Sequence, residues 1–158
     1  MPTITPFLWF DSQALEAAKF YVSVFKQGSK ITSIAKTGGK GPGKKAAVMG
    51  VTFRLRGQQF RALNGGPVFH FTPAISMFVD CTTQREVDDL WKKLGRGGKP
   101  SRCGWLTDRY GLSWQIIPKQ LGKLMHGTAP AKSAAVMKAM MAMDKIDIAG
   151  LERAYKSA

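Results

Sequence analysis

The sequence predicts an α+β fold built from two consecutive βαβββ modules and followed by a helical C-terminal extension. The first observation is a repeat: a β-forming stretch, an amphipathic helix and further extended segments occupy residues 3–66, and this order recurs in residues 73–118. The second is a break at residues 64–67, where two glycines and a proline end the first module. Because one such unit cannot bury its sheet face alone, we expect both modules to form one domain over residues 1–121, with residues 122–158 as the extension.

The first module is expected to contain one helix among four strands. Residues 4–10 are rich in β-forming side chains, which predicts a strand. Residues 13–25 change to a helical period with apolar residues on one face, which predicts a helix. The glycines of residues 38–43 indicate a turn between two of the later strands. Those later strands are predicted over residues 30–35, 46–55 and 58–63.

The second module begins with a predicted strand over residues 74–79. Thr83 and Glu86 have the spacing of a capping box, in which each side chain satisfies a free amide at a helix start. A helix with one apolar face is therefore predicted to begin there and to end at the glycines that follow. Extended segments are expected over residues 102–107 and 113–118.

The extension differs from the modules in composition and is predicted to form two helices. Pro130 is suited to open the first, and Asp147 is suited to cap the second. The first helix carries an apolar stripe of Val136, Met137, Met140 and Met141. Methionine stripes suit adaptable packing surfaces, so the sequence leaves open whether the extension docks on its own chain or on a partner.

Five residues have side chains that are common in catalytic or metal sites, but the sequence favours structural roles for them. Asp11 and Asp80 follow the first strand of each module, and we expect them to cap the next helix rather than to act as acids. His70 and His126 are expected at the surface and not as ligands. Cys103 is expected to be an inert thiol, because no histidine is near it in sequence to act as a base.

The chain is strongly basic, with a formal net charge of +14 and a pI near 10.1. A charge of this sign can attract nucleic acid, but the lysines and arginines concentrate in glycine-rich loops and at helix ends, without interleaved aromatic residues for stacking on bases. We therefore expect a solvated basic surface and no specific nucleic-acid binding. The residues concerned are Lys36, Lys40, Lys44, Lys45, Lys92, Lys93, Arg96, Lys99 and Arg102.

The sequence favours a cytoplasmic protein. No apolar run approaches the roughly 18 residues needed to span a bilayer, so no membrane association is expected. The N-terminal residues lack the basic segment and apolar stretch of a signal peptide. Cys81 and Cys103 do not form a disulfide framework and are expected to be reduced thiols.

Three motifs resemble the PhnB-like family, which is often named after 3-demethylubiquinone-9 3-methyltransferase and belongs to the vicinal oxygen chelate (glyoxalase and bleomycin-resistance) superfamily. The first is Ile-Thr-Pro-Phe-Leu-Trp-Phe-Asp at residues 4–11, and the second is Leu-Asn-Gly-Gly-Pro at residues 63–67. The third and most specific is Cys-Gly-Trp-Leu-Thr-Asp-Arg-Tyr-Gly-Leu-Ser-Trp-Gln at residues 103–115. The resemblance covers nearly the whole chain, including Met-Asp-Lys-Ile-Asp-Ile at residues 143–148.

The resemblance implies paired βαβββ modules whose curved mixed sheets form a cleft, usually within a homodimer. In metal-dependent relatives the ligands are His, Glu or Gln from the first and last strand of each module. The corresponding strands of this chain offer Thr5, Asn64, Ser76 and Gln115, with Gln115 where the superfamily commonly has Glu. Two amides and two hydroxyls make a poor metal site, so we expect no bound metal and no other cofactor.

The leading hypothesis is a small-molecule-binding protein, or a metal-independent enzyme, whose substrate the sequence does not reveal. Aromatic walls with a few amides suit a compact organic ligand. Because neighbours on a strand face opposite sides, Gln115 is predicted to face the cleft and Trp114 the other layer. The predicted ligand-binding residues are Trp9, Asn64, Trp105, Ser113 and Gln115.

Three alternatives remain open at this stage. One is a metal-dependent lyase, isomerase or dioxygenase with an unusual ligand set. Another is a methyltransferase, as the family name suggests, although the glycines here do not follow the strand-turn-helix order that commonly holds a nucleotide-like methyl donor. The last is a basic protein that interacts with nucleic acid through its lysine loops.

Overall fold

Two units make up the structure, which is a computed structural model that describes residues 1–38, 45–127 and 129–158. The first unit spans Met1–Phe71 and the second spans Thr72–Ala158. Each unit contains a four-stranded mixed sheet and a helix in βαβββ order, and the second unit also carries the C-terminal helices. The predicted fold of paired βαβββ modules with a helical tail is confirmed.

The first unit forms a sheet in which the first and last strands are neighbours. Its elements are β1 Phe7–Phe10, α1 Ala14–Phe25, β2 Lys30–Thr37, β3 Ala47–Leu55 and β4 Gln58–Asn64. The strand order is β1-β4-β3-β2, with β1 and β4 parallel and the other neighbours antiparallel. Most of the turn predicted at residues 38–43, with Lys40 and Lys44, lies outside the described residues.

Helix α1 packs on this sheet through small and aromatic residues on one side. Three of its alanines and Tyr21 have no exposed surface. The Tyr21 ring stacks on Phe53 of β3 at 6.3 Å between centroids, and Phe53 stacks on Phe60 of β4 at 5.4 Å. Alanine allows the helix backbone to approach the sheet closely, and the aromatic rings fill the space that remains.

The second unit repeats this arrangement and adds three helices. Its elements are β5 Ser76–Cys81, α2 Gln84–Leu94, β6 Lys99–Pro100, β7 Trp105–Thr107, β8 Ser113–Pro118, α3 Lys119–Met125, α4 Pro130–Met141 and α5 Ile148–Lys156. The strand order is β5-β8-β7-β6, again with a parallel pair, β5 and β8, beside antiparallel neighbours. The segment predicted at residues 102–107 is shorter than expected, and α3 was not predicted because it follows β8 without a turn signal.

The starts of α1 and α2 are stabilised in different ways. The capping box of α2 is confirmed: Thr83 Oγ1 accepts a hydrogen bond from Glu86 N at 3.2 Å, and Glu86 Oε2 accepts one from Thr83 N at 3.4 Å. In α1 the side chain of Asn64 replaces a local cap, since its Oδ1 accepts a hydrogen bond from Ala14 N at 2.8 Å. The predicted caps Asp11 and Asp80 are therefore wrong, because each helix begins further along the chain than either aspartate.

A buried carboxylate organises the hairpin between β7 and β8. Asp108 is only 3% exposed, and its Oδ1 accepts hydrogen bonds from the backbone N–H groups of Tyr110 and Leu112 at 2.8 and 3.1 Å. Its Oδ2 accepts a hydrogen bond from Trp114 Nε1 at 2.8 Å. Burial of a charged group is costly unless hydrogen bonds replace its hydration, and these bonds do so. The turn and the indole of Trp114 are thereby held in one arrangement.

The two faces of the second sheet have different environments. Trp114 is 2% exposed, and Leu106 lies opposite it on β7. Leu106 reaches the C-terminal end of α2, where a Cβ placed on Gly95 would contact its Cδ2 at 4.0 Å. Helix α2 therefore covers the face that carries Trp114. Gln115, the next residue on β8, belongs to the other face by strand alternation.

The C-terminal extension packs on the second unit of its own chain. Val136 of α4, Leu151 of α5 and Ile146 between them have no exposed surface, and they pack with Ile117 of β8. The question left open by the sequence is thus answered by an apolar cluster within one chain. Burial of each such side chain contributes about 1.5–3 kcal/mol, so the cluster holds the extension firmly.

Polar contacts fix the segment between α4 and α5. Gln84 Nε2 donates to Ile146 O at 3.0 Å, and Gln84 Oε1 accepts a hydrogen bond from Ile148 N at 2.8 Å. Lys145 Nζ lies 2.6 Å from Asp88 Oδ1, and the hydrogen bonds of Lys145 and Gln84 hold the pKa of this carboxyl below its usual value. Because the folded-state pKa is lowered, this contact stabilises the folded protein at neutral pH and is lost as acid protonates Asp88.

Replacing Trp114 by alanine tests the role of the buried face. The substitution removes a buried indole and the hydrogen bond to Asp108, so we expect the free energy of unfolding to fall by about 3–5 kcal/mol in urea denaturation. The matched control is Gln115→Ala on the next residue, for which we expect a loss of about 1 kcal/mol. Equal losses in the two variants would contradict the assignment of the faces.

Candidate functional site

A cavity of about 560 Å³ lies in the second unit, on the face of the sheet opposite to Trp114. Phe78 of β5, Gln115 of β8 and Trp105 of β7 are direct neighbours across the strands and form one row of its wall. The strand register forms a second row in which Asp80 lies opposite Ile117. Cross-strand partners share a face, so the pairing of three strands gathers these side chains on one surface.

Helices α3 and α4 supply the other wall of this cavity. Leu121 and Met125 come from α3, where a spacing of four residues places them on one side of the helix. Met137 and Met140 come from α4. The polar lining residues of this part are Lys119 and His126, and the Nδ1 of His126 lies 2.8 Å from Gly122 O.

Gln115 is the amide that the sheet presents to the cavity. Its Nε2 donates a hydrogen bond to Ser76 Oγ on the neighbouring strand at 2.9 Å. This bond fixes the orientation of the amide plane. With Nε2 engaged, Oε1 is the atom of this side chain that can accept a hydrogen bond from a ligand.

The structure brings together two of the five predicted site residues. Trp105 and Gln115 line the cavity as cross-strand partners. Ser113 lies on the same strand as Gln115 but is only 2% exposed, and it lies opposite Ser76 and Thr107. Its predicted contact with the ligand is not tested by this placement.

Trp9 and Asn64 lie in the first unit and make hydrogen bonds there. Trp9 Nε1 donates to Gly66 O at 2.9 Å, and its ring meets Phe69 edge-on at 5.0 Å. Asn64 Oδ1 accepts a hydrogen bond from Ala14 N at 2.8 Å, while its Nδ2 donates to Val48 O at 3.1 Å. Both ends of this amide hold backbone groups in place. The ligand contacts of Trp9 and Asn64 stay predictions.

The donors at the four superfamily positions do not fit a divalent metal. Asn64 uses its amide oxygen for a backbone N–H, and Gln115 and Ser76 are hydrogen-bonded to each other. Thr5 precedes β1 and supplies a single hydroxyl. Within residues 1–38, 45–127 and 129–158, no three His, Cys, Asp or Glu side chains form a group that could hold a metal ion. A tight site needs several charged or imidazole donors that converge.

Sequence reasoning missed part of this site. Asp80 was assigned to a helix cap, yet its place opposite Ile117 puts it on the cavity wall. Cys103 and His126 also line the cavity. The alternation of side chains along a strand could have found Asp80. Cys103 lies in the turn before β7 and His126 follows α3, and neither position has such a signal. Cys81, the other thiol, is buried; burial and then the charges of nearby carboxylates raise its pKa to about 11, so it is protonated at neutral pH.

Comparison with known families decides the relationship of this chain. A family model described as 3-demethylubiquinone-9 3-methyltransferase matches residues 2–117. The chain belongs to this family. The PhnB-like assignment is thereby confirmed. The matched range ends at residue 117, so residues 143–148, which the resemblance included, lie outside it.

Solved structures agree with this assignment. A PhnB protein from Bacillus cereus is 40% identical, with a TM-score of 0.66, and the similarity covers 74% of this chain and 99% of that one. Protein PA1353 from Pseudomonas aeruginosa is 17% identical, with a TM-score of 0.61 and coverage of 75% and 98%. The fosfomycin resistance protein FosX from Listeria monocytogenes is 12% identical, with a TM-score of 0.50 and coverage of 75% and 93%. The last two similarities show the fold alone.

No curated protein matches the chain. Among the described residues, no helix is long and apolar enough to cross a membrane.

Because the side chains at the four superfamily positions are amides and hydroxyls, we expect a protein without a tightly bound divalent metal. Protein purified without chelators should contain far less than one zinc, iron, nickel or manganese ion per chain by elemental analysis. Since amide and hydroxyl donors alone hold such ions weakly, EDTA should leave the melting temperature unchanged. Near-stoichiometric metal, or a clear drop in melting temperature with EDTA, would contradict this.

Proposed function

We propose that this protein binds a small organic ligand, without a metal, in the cavity of the second unit. The observation that carries the proposal is the row of Phe78, Gln115 and Trp105, in which one oriented amide lies between two aromatic side chains. Ligand sites typically combine mostly apolar walls with a few polar groups that fix orientation. This row has that composition.

The walls restrict the chemistry of the ligand. Aliphatic, aromatic and thioether side chains line most of the cavity, so an apolar body is favoured in its interior. A hydrogen-bond donor on the ligand would pair with Gln115 Oε1. Trp105 and Gln115 are thus the predicted ligand residues on which this proposal depends.

Membership of the family does not mean that this chain transfers methyl groups. Each sheet contains one parallel pair beside antiparallel strands, in βαβββ order. The doubly wound folds that commonly hold nucleotide-like donors need alternating parallel strands and helices instead. Ligand binding is therefore the function we assign, with no reaction specified.

We also propose that the protein is a cytoplasmic homodimer. In the first unit Phe7, Val68 and Phe69 are 60%, 70% and 62% exposed. Exposed apolar side chains of this size are typical of association surfaces, and most oligomers are symmetric dimers. The free thiols Cys81 and Cys103 suit a reducing compartment.

The ligand-binding proposal is tested by native mass spectrometry of freshly purified protein, followed by identification of any retained compound. With that compound, we expect Gln115→Ala to weaken binding about tenfold, because one oriented hydrogen bond is lost. Ser76→Ala should weaken it less, since the amide remains but is no longer held. Gln58→Ala is the matched control, because Gln58 is exposed at the start of β4. Unchanged affinity in Gln115→Ala would contradict the proposal.

The dimer proposal is tested by light scattering. We expect a mass about twice the 17.3 kDa of one chain at micromolar concentration. Phe69→Asp places a charge on the exposed apolar surface and should shift the population towards monomer. A wild-type protein that is monomeric across this concentration range would contradict the proposal.

A further inference from the structure

The C-terminal extension lines the cavity although the family model ends before it. The matched range stops at residue 117, and the Bacillus cereus PhnB protein is covered over 99% of its length by 74% of this chain. About a quarter of the chain thus has no counterpart in that relative. Half of the residues that line the cavity nevertheless follow Pro118. One wall of the site therefore comes from a part of the chain that the family model does not cover.

This wall is held at both of its ends. Helix α3 follows β8 directly, and Gln120 Nε2 donates to Thr82 O at 2.9 Å. Beyond α4, Cys103 N donates to Met143 O at 2.8 Å, and Gly104 N donates to Asp144 O at 2.7 Å. The turn before β7 and the segment after α4 are therefore joined by backbone hydrogen bonds.

A buried valine sets the rotation of α4 about its axis. Val136 has no exposed surface and packs with Ile117, Ile146 and Leu151. Met140 lies one turn further along the same helix, and both it and Met137 line the cavity. The rotation that buries Val136 therefore also brings thioether groups to the wall that faces the sheet.

The two walls have complementary chemistry. The sheet contributes the rings of Phe78 and Trp105, and the helices contribute the thioethers of Met125, Met137 and Met140. Thioether sulfur is polarizable and makes favourable contacts with aromatic rings, and aromatic rings stack or meet edge to face. A flat aromatic body gains ring–ring and sulfur–ring contacts from both walls, whereas a saturated body of equal size gains only dispersion contacts and exclusion of water.

We propose that the α3–α4 wall determines ligand specificity, and that it selects a planar aromatic compound whose hydrogen-bond donor pairs with Gln115. This inference rests on the proposed function and adds the ligand class. Met125, Met137 and Met140 are the specificity-determining residues.

The test uses the full chain and two probes, 2-naphthol and decahydro-2-naphthol, with affinities from calorimetry. Both probes carry one hydroxyl on a fused two-ring skeleton, but only the first is flat and aromatic. We expect 2-naphthol to bind at least about tenfold more tightly. Gln115→Ala should weaken both probes, because each offers one hydroxyl donor to Oε1.

The double variant Met137→Leu/Met140→Leu keeps the size and apolarity of the wall and removes its sulfur. We expect it to reduce the preference for 2-naphthol by about two- to tenfold. Met49→Leu in the first unit is the matched control and should leave the preference unchanged. Melting temperatures check that each variant is folded, and a leucine in place of methionine is tolerated well in packed regions.

The outcomes separate this inference from the proposed function. Equal affinity for the two probes, or a preference that the double methionine variant leaves unchanged, would overturn the role of the α3–α4 wall while Gln115 still contributes to binding. Binding of neither probe would overturn the aromatic ligand class, and the compound retained in native purification then tests the proposed function separately. Binding that is insensitive to Gln115→Ala would contradict the proposed function itself.

Discussion

The second unit depends on the burial of one carboxylate in the turn before β8. Asp108 accepts hydrogen bonds from two backbone amides of that turn and from the indole of Trp114. Because Trp114 is thereby fixed on the face covered by α2, strand alternation leaves Gln115 on the opposite face. Phe78 and Trp105 join Gln115 there through the strand pairing. Residues 103–115, the most specific of the three motifs, thus hold the amide of Gln115 on the cavity face of the sheet.

The order of the modules could be predicted from the sequence because local signals define it. The capping box of Thr83 and Glu86 and the strand at residues 113–118 were both predicted correctly from residue spacing. The cap of α1 could not be predicted in this way. Asn64 is fifty residues away from the amide that it binds, so only the parallel pairing of β1 and β4 brings the two together.

The candidate site was predicted only in part, for the same physical reason. Trp105 and Gln115 belong to one motif and could be placed on the cavity face from the alternation of side chains along a strand, and both line the cavity. The methionine wall depends on the docking of α4, which a buried cluster of distant residues such as Val136 and Ile117 determines. No local pattern reveals which side of that helix faces the sheet. The sequence could identify an apolar methionine stripe at Met137 and Met140 but not the surface that the stripe faces.

The central claim is that the ligand site is the cavity of the second unit, with Gln115 as its oriented polar group. Its most direct test is a nuclear magnetic resonance titration of isotope-labelled protein with 2-naphthol, following side-chain amide and indole signals. The account predicts that the Gln115 amide and the Trp105 indole shift together with the Met140 methyl group, and that they saturate with one dissociation constant. Shifts confined to Trp9 and Asn64 in the first unit would contradict it.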